Sequence, residues 1–443
     1  MAVRAVTKED SDREVSVECS VIGVRSAFEP RRARFVFPPS SMWTAEGPLG
    51  SAPLTPRVLD LLDLVGAIYR IESQVPQRLT NPMKEWRITA PVRDLRFWTA
   101  EGGTLLGSSL GFLNRALWTF TFERRRNPVD PVLTRSNARK VEEVILFSGG
   151  MDSACGAGVH KSGKQKVQLA SFSTRQGGLQ RAIAKELGYL PPTQWRLYGG
   201  RGKEGMNLIR SIVFLTLGAV VAETFGASTI FQYENGVLAA AIPPSGSFIP
   251  TRHAHPELHR RMERLFGVVF QREIVIRNPF ALLTKRETAQ KFSKSVGSTL
   301  SESILRRTET CWRLAQAQVG GKPKRPGTSC GVCTPCIVRR TARPFEASKG
   351  AWPGWRGYAY DLKKPRVHNH AKLGLTFRAY LELISIVLGS PDDRGIIEEL
   401  APEARALIDG PAGPRSEDIA PLLRRFAEEF CDTFEIARPA GES

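Results

Sequence analysis

Apolar positions change rhythm along the chain, and each rhythm predicts a different element. Val15 to Val24 alternates and is rich in β-branched residues, which predicts a strand; Ala33 to Phe37 predicts a second, closed by Pro38 and Pro39. From Pro56 to Val75, Leu59, Leu62, Val65, Ile68 and Ile71 recur at helical spacing, with Pro56 in the first turn. Trp86–Val92 and Leu95–Trp98 read as strands, followed by a short helix around Leu105–Phe112 and a strand around Trp118–Glu123. Strands interleaved with helices predict an α+β domain over residues 1–126. It holds no cluster of catalytic residue types, so its expected role is docking or structural. Residues 127–140 are polar and broken by proline, as a linker is.

From residue 141 the pattern becomes strand, helix, strand. Val144, Ile145, Leu146 and Phe147 form a short apolar run with no polar face, the signature of an interior parallel strand. Gly149 and Gly150 follow, and glycine lets the main chain approach a ligand closely. Asp152 and Ser153 fall where a helix begins, so unpaired N–H groups and the positive end of its dipole suit a phosphate there. Val167–Phe172 predicts the next strand and Leu179–Leu187 a helix. Met206–Thr224 is long, apolar and free of proline, which predicts a buried helix. Ser228–Gln232 is a strand ending in Tyr233, Glu234, Asn235 and Gly236; Pro256–Phe266 and Thr284–Val296 are helices around a strand at Glu273–Ile276. Repeated βα units predict a parallel sheet covered on both faces. Ligands bind such sheets at the carboxyl ends of the strands. Ser148–Ser153, Phe172–Gln176 and Glu234–Gly236 therefore line one crevice. The fold class is α/β, a parallel-sheet core with added α+β and helical parts. Residues 346–443 are helical, over Leu373–Leu388, Asp393–Leu407 and Glu417–Glu435, and offer a helical cap or a homodimer surface.

Composition narrows the picture. No run of 18 apolar residues and no basic-then-apolar N-terminus occur in the 443 residues, which predicts a soluble cytoplasmic protein with no membrane contact. The formal charge of +19 predicts an anionic partner: ATP, a nucleic acid or an acidic protein. Three of the seven cysteines, Cys330, Cys333 and Cys336, stand two residues apart, and Cys311 lies upstream. Four thiolates at such spacings surround one tetrahedral Zn²⁺. The same run also begins ferredoxin ligation, so an iron–sulfur cluster is the alternative. Cys19, Cys155 and Cys431 are isolated. The lysine-containing G-x-x-x-x-G-K-[ST] loop is absent, so γ-phosphate transfer is not implied.

Ser148-Gly-Gly-Met-Asp-Ser153 resembles the SGGxDS loop of the PP-loop ATP pyrophosphatases. With the cysteines downstream, the chain resembles the QueC family, the 7-cyano-7-deazaguanine synthases, over residues 141–345. Arg210-Ser-Ile-Val-Phe-Leu-Thr-Leu217 resembles that family's GRN-I-L-F-L-T-L helix start. Asn278-Pro-Phe-Ala-Leu-Leu-Thr-Lys285-Arg-Glu287-Thr288 resembles its P-L-x-x-x-D-K-x-E-T segment, and Glu309-Thr-Cys311 with Cys330–Arg339 its zinc knuckle. The resemblance implies ATP with Mg²⁺, held by Phe147, Ser148, Gly149, Gly150, Met151, Asp152, Ser153 and Phe172. It implies catalysis by Ser148, Asp152, Lys285 and Arg210, the two cations meeting the charge that develops on pyrophosphate. It implies structural Zn²⁺ on Cys311, Cys330, Cys333 and Cys336. The substrate it implies is a 7-deazaguanine acid, activated as an acyl adenylate and converted with ammonia to amide and nitrile.

The chain also departs from that pattern. Ser173 follows Phe172 where the family has an acidic residue, and Thr284 precedes Lys285 where it has aspartate. Arg252, His253 and His255 stand in place of an acidic substrate loop, leaving Glu234, His255 and Glu257 as candidate substrate contacts. Long QueC-like chains with an extra N-terminal domain occur in the Qat and type IV CBASS anti-phage systems, and this chain is similar to those. A protein amine, docked by the N-terminal domain, is then an expected acceptor beside ammonia. The alternative reading is a PP-loop tRNA-modifying enzyme or a basic zinc-knuckle nucleic-acid binder. Basic and aromatic residues interleave only at Trp352–Tyr360, which weakens it.

Overall fold

The run Val144–Leu146 lies at the centre of a six-stranded sheet, where both faces of a strand are covered. The structure, a computed structural model, describes residues 14–21, 31–36, 41–72, 84–131, 133, 139–172, 176–197, 209–244, 252–311, 329–342, 358–400 and 416–437. Among the expected features, Ser173–Arg175, Met206–Leu208, Trp352–Gly357 and residues 401–407 lie outside them.

The N-terminal stretch contains β1 (Glu14–Val21), β2 (Arg31–Val36), β3 (Trp43–Glu46), α1 (Pro56–Glu72), β4 (Lys84–Val92), a single turn α2 (Leu95–Phe97), α3 (Gly103–Asn114) and β5 (Leu117–Arg124). Strands β2, β1, β4 and β5 form one sheet in that order; β1 is antiparallel to both neighbours and β4 is parallel to β5. Leu95–Trp98, expected as a strand, is instead helical. Asp94 accepts the Phe97 N–H at 3.1 Å, and an aspartate cap turns the chain into a helix whatever its apolar content.

The central stretch follows the expected alternation: β6 (Glu143–Leu146), α4 (Met151–Val159), β7 (Val167–Phe172), α5 (Gly177–Glu186), β8 (Thr193–Leu197), α6 (Arg210–Phe225), β9 (Thr229–Phe231), a short α7 (Gly236–Ala239), α8 (Pro256–Phe270), β10 (Val275–Arg277), α9 (Lys285–Val296) and α10 (Ser298–Arg307). Strands β10, β9, β6, β7 and β8 run parallel in that order. The sixth is β3, which pairs antiparallel with β8 on the outer edge. An N-terminal strand thus closes the edge of the parallel sheet, a contact that sequence periodicity could not reveal.

One apolar core joins the two sheets. It takes Leu61, Leu64 and Ile68 from α1, Trp86 and Ile88 from β4, and Leu215, Val220 and Val221 from α6. Trp43 is fully covered there, its Nε1 donating to the Leu62 carbonyl at 2.9 Å. Phe172 packs its ring against Trp43 and Tyr69. A second core surrounds the cysteines and the remaining helices α11 (Thr334–Arg340), α12 (Pro365–His368), α13 (Leu375–Gly389), α14 (Asp393–Leu400) and α15 (Ser416–Phe434). Phe377, Tyr380, Phe426, Phe430 and Phe434 stack against one another in it. No helix among the described residues is long and apolar enough to cross a membrane.

Candidate active site and metal centre

The chain leaves β6 at Leu146 and turns sharply before α4. Gly149 sits at φ +80°, a left-handed conformation that glycine adopts without a Cβ clash. Ser148 stabilises the turn: its Oγ accepts the Gly150 N–H at 3.2 Å and lies 3.1 Å from Ser153 Oγ, while its carbonyl accepts from Gln180 Nε2 at 3.1 Å. Gly150 caps α4, and no side chain among the described residues caps that end. Its first N–H groups are therefore available to an anion, as the sequence predicts.

Asp152, in the first turn of α4, is covered by protein. Its Oδ2 accepts from Lys285 Nζ and, at 3.1 Å, from Asn235 Nδ2. Its Oδ1 is buried and has no partner. Asn235 Nδ2 also reaches Glu234 Oε1 at 2.9 Å, and Glu234 Oε2 lies 3.1 Å from His253 Nε2. Residues from three crossovers thus meet at the carboxyl ends of β6 and β9, where an open parallel sheet takes its ligand. Burial pushes the Asp152 carboxyl up to about 7, against the pull of the Lys285 ammonium. Burial also pushes Glu234 up, but the Asp152 and His253 side chains beside it outweigh that and hold it well below the usual carboxylate range.

Two straps hold the cluster. Asn278 accepts the Glu234 N–H at 3.1 Å and returns a bond to its carbonyl at 2.8 Å, and Gly236 donates to the Leu283 carbonyl at 2.8 Å. Thr284 caps α9 and forms a capping box with Glu287. Lys285, 1% exposed, therefore sits on the first turn of a helix, where the dipole disfavours a cation. The carboxylate of Asp152 offsets that cost, and Lys285 keeps donors to spare for a phosphate.

The four cysteines form a second centre. The Sγ atoms of Cys311, Cys330, Cys333 and Cys336 all lie within 4.8 Å of one another, and all four residues are buried. Zinc with Zn–S bonds of about 2.3 Å sets tetrahedral sulfurs about 3.8 Å apart. Cys330 and Cys336 stand 3.8 Å apart, so the set fits one Zn²⁺. The thiolates of an iron–sulfur cluster bind different irons and need a wider cage. The Cys330 and Val332 N–H groups point at Cys311 and Cys330 sulfurs, at 3.2 and 3.5 Å, as donors to thiolates do. This centre borders the phosphate loop. A Cβ on Gly150 would stand 3.5 Å from the Glu309 carbonyl and 3.9 Å from Thr310 Cγ2. Arg339, one turn past the knuckle, holds that segment through Thr308 and Leu305 carbonyls at 2.7 and 2.8 Å.

Residues 207–347 match the family model described as queuosine biosynthesis protein QueC. Over that segment the chain is similar to QueC. The match holds the Glu234–Gly236 strap, Lys285 and every cysteine of the metal centre; the phosphate loop precedes it. No curated protein matches the chain. With the loop and the buried lysine, this makes the protein an ATP-utilising enzyme of the PP-loop superfamily.

The expected site residues separate. Ser148, Asp152, Lys285 and Glu234 come together. Arg210 stands exposed at the start of α6, and no hydrogen bond or ion pair among the described residues ties it to the cluster. Phe172 is covered by Trp43 and Tyr69, a core position. His255, expected beside the substrate, is the N-cap of α8: its Nδ1 accepts the Glu257 N–H at 3.0 Å, and its ring lies against Phe112. Burial holds its imidazole down at about 3, which removes it as a proton acceptor near pH 7. Glu257 pairs with Arg260 at 2.9 Å and Arg261 at 2.7 Å on its own helix. The neighbour His253 faces Glu234 instead. Sequence reasoning placed Asn235 in the crevice but gave no role to it or to Gln176, which donates to Glu309 Oε2 at 2.9 Å beside the loop. Their spacing along the chain carries no signal, because each meets its partner only across the fold.

Proposed function

We propose that the protein activates a carboxylate of the 7-deazaguanine class by adenylation. The carrying observation is the buried Asp152–Lys285 pair at the mouth of an uncapped helix, with an oxygen of Asp152 left without a partner. The loop N–H groups and the Lys285 ammonium stabilise the charge that develops on the pyrophosphate leaving group. The substrate carboxylate attacks the α-phosphorus of ATP; the bond to the bridging oxygen breaks and pyrophosphate departs with the electron pair. An amine then attacks the acyl carbon, AMP leaves, and the amine proton passes to solvent. Carboxylate oxygen is a hard donor, so Asp152 Oδ1 is where Mg²⁺ would be held, to neutralise phosphate charge. Zn²⁺ on the four thiolates would tie the Glu309–Thr310 segment to the loop, a structural part.

We assign the substrate as 7-carboxy-7-deazaguanine and the acceptor as a protein amine, with ammonia as the smaller alternative, in anti-phage defence. Placement of the N-terminal stretch supports a docked acceptor. Arg252 donates to the Phe112 carbonyl at 3.0 Å, and Arg261 to the Ser108 carbonyl at 3.1 Å, so α3 borders the loop that carries His253. Protein, ATP and the acid, mixed with and without ammonia, should yield AMP and pyrophosphate, read by chromatography and mass spectrometry. Formation of ADP and phosphate alone would refute adenylation. Amide or nitrile formation with ammonia, and no protein gaining the deazaguanine mass, would refute the protein acceptor.

A further inference from the structure

The C-terminal helix grips the first turn of the helix that carries Lys285. Thr284 Oγ1 donates to Glu429 Oε1 at 2.7 Å. Arg286 donates to the Glu429 carbonyl at 3.3 Å, and Arg425 donates to Glu287 Oε1 at 2.8 Å and to the Leu282 carbonyl at 2.9 Å. Leu422 lies so close to the neighbouring strap that a Cβ on Gly236 would come within 2.6 Å of its Cδ2. Thr284, Arg286 and Glu287 therefore all contact α15, while Lys285 between them turns the other way to Asp152.

Glu429 is the unusual member of this contact. It is 8% exposed, and its second oxygen, Oε2, is buried without a partner. A glutamine would accept the same bond from Thr284 without the desolvation cost of a carboxyl group. The residue before Lys285 is threonine where the resembling segment has aspartate, so position 284 carries no charge of its own, and the Glu287 carboxylate of the capping box is turned to the Thr284 N–H. We propose that Glu429 is a positioning residue for Lys285: it brings from α15 the carboxyl group that position 284 lacks. This rests on the reading of Lys285 as part of the ATP site. A carboxylate at a helix N-terminus offsets the dipole that a cation on the first turn opposes. It also fixes the Thr284 hydroxyl, and with it the direction in which Lys285 leaves the helix. Burial pushes the Glu429 carboxyl up to about 7, so it is partly ionised near neutrality.

The test compares Glu429→Gln, Thr284→Asp, the double variant and the control Arg425→Ala in the full chain. Two quantities are read: acetylation of Lys285 by trace acetic anhydride in nucleotide-free protein, measured by peptide mass spectrometry, and AMP formation. Glu429→Gln should make Lys285 severalfold more reactive and lower kcat/KM about tenfold, the scale of a small misplacement. Thr284→Asp alone crowds two carboxyl groups and should be worse. The double variant moves the carboxyl group to position 284 and should recover both quantities to within about twofold, as coupled neighbours do. Arg425→Ala should lower the melting temperature and leave Lys285 protected. Unchanged labelling in folded Glu429→Gln, no recovery in the double variant, or equal labelling in Arg425→Ala would each overturn the proposal. Should Glu429→Gln not fold, the double variant decides alone, by folding with Lys285 protected or by failing to. A wild type that forms no AMP would remove the ATP reading and leave the labelling result standing.

Discussion

Two buried charge clusters, one in the N-terminal stretch and one at the phosphate loop, use similar groups to opposite ends. In the first, Asp60 Oδ1 accepts from the Arg93 N–H at 2.8 Å and Arg93 Nη1 at 3.0 Å. Its Oδ2 accepts from the Asp94 N–H at 2.9 Å and Trp98 Nε1 at 3.1 Å. Asp63 completes the set with Arg93 at 2.9 Å and Arg125 at 2.5 Å. Burial pushes the Asp60 carboxyl up as it does Asp152. The difference lies in saturation. Both Asp60 oxygens are occupied from within the fold, whereas Asp152 keeps Oδ1 without a partner. A saturated cluster has no valence left for a ligand and ties α1 to the end of β4. An unsaturated one carries an unmet cost that a bound partner can relieve. Perturbed titration alone therefore does not distinguish architecture from chemistry; an unfilled oxygen beside an uncapped helix start and a buried lysine does.

The largest effect is expected from removing the central cation of the reactive cluster. Lys285→Met should lower AMP formation about a thousandfold. Its melting temperature should fall only modestly, because Asp152 can take a proton once its counter-ion is gone. A rate within a few-fold of wild type would remove Lys285 from the chemistry. The mirror experiment is Asp60→Ala, which strands buried arginine and should cost about 3–5 kcal/mol in urea unfolding. Any protein that remains folded should keep its KM for ATP; a large KM change would mean that the first cluster is not purely architectural.

Acid titration separates the clusters more finely. The carboxyl of Asp152 is raised in the fold from 3.8 to about 7, so the folded state binds the proton more tightly than the unfolded chain. The stability it contributes is fully present below pH 3.8 and is lost as pH rises to about 7. Asp152→Asn should remove that part of the slope, seen as a smaller fall in the urea midpoint across this range. An unaltered slope would contradict the shift. The smallest effect concerns a residue outside both clusters. His255→Ala should cost about 1 kcal/mol as the loss of a helix cap and leave kcat for AMP formation unchanged. A large fall in kcat with intact stability would return His255 to the substrate site.

Local order was legible in the chain because local forces write it. Val144–Phe147, Gly149 and Gly150 specified a buried strand and an uncapped helix start, since an apolar run and a positive φ each need particular residue types. The three closely spaced cysteines gave the metal centre for the same reason. Leu95–Trp98 misled because one aspartate cap outweighed its apolar content. Contacts set by the path of the chain through space were not legible. Strand β3 joins the parallel sheet from far upstream, and Glu429 reaches Thr284 from the C-terminal helix. His253 rather than His255 faces Glu234, because the helix start of α8 consumes the second histidine as a cap. Sequence spacing determines what a residue can do to its neighbours within a turn or two. Which distant residue completes its hydrogen bonds, and which oxygen is left without one, is decided only when the sheets and helices close over it.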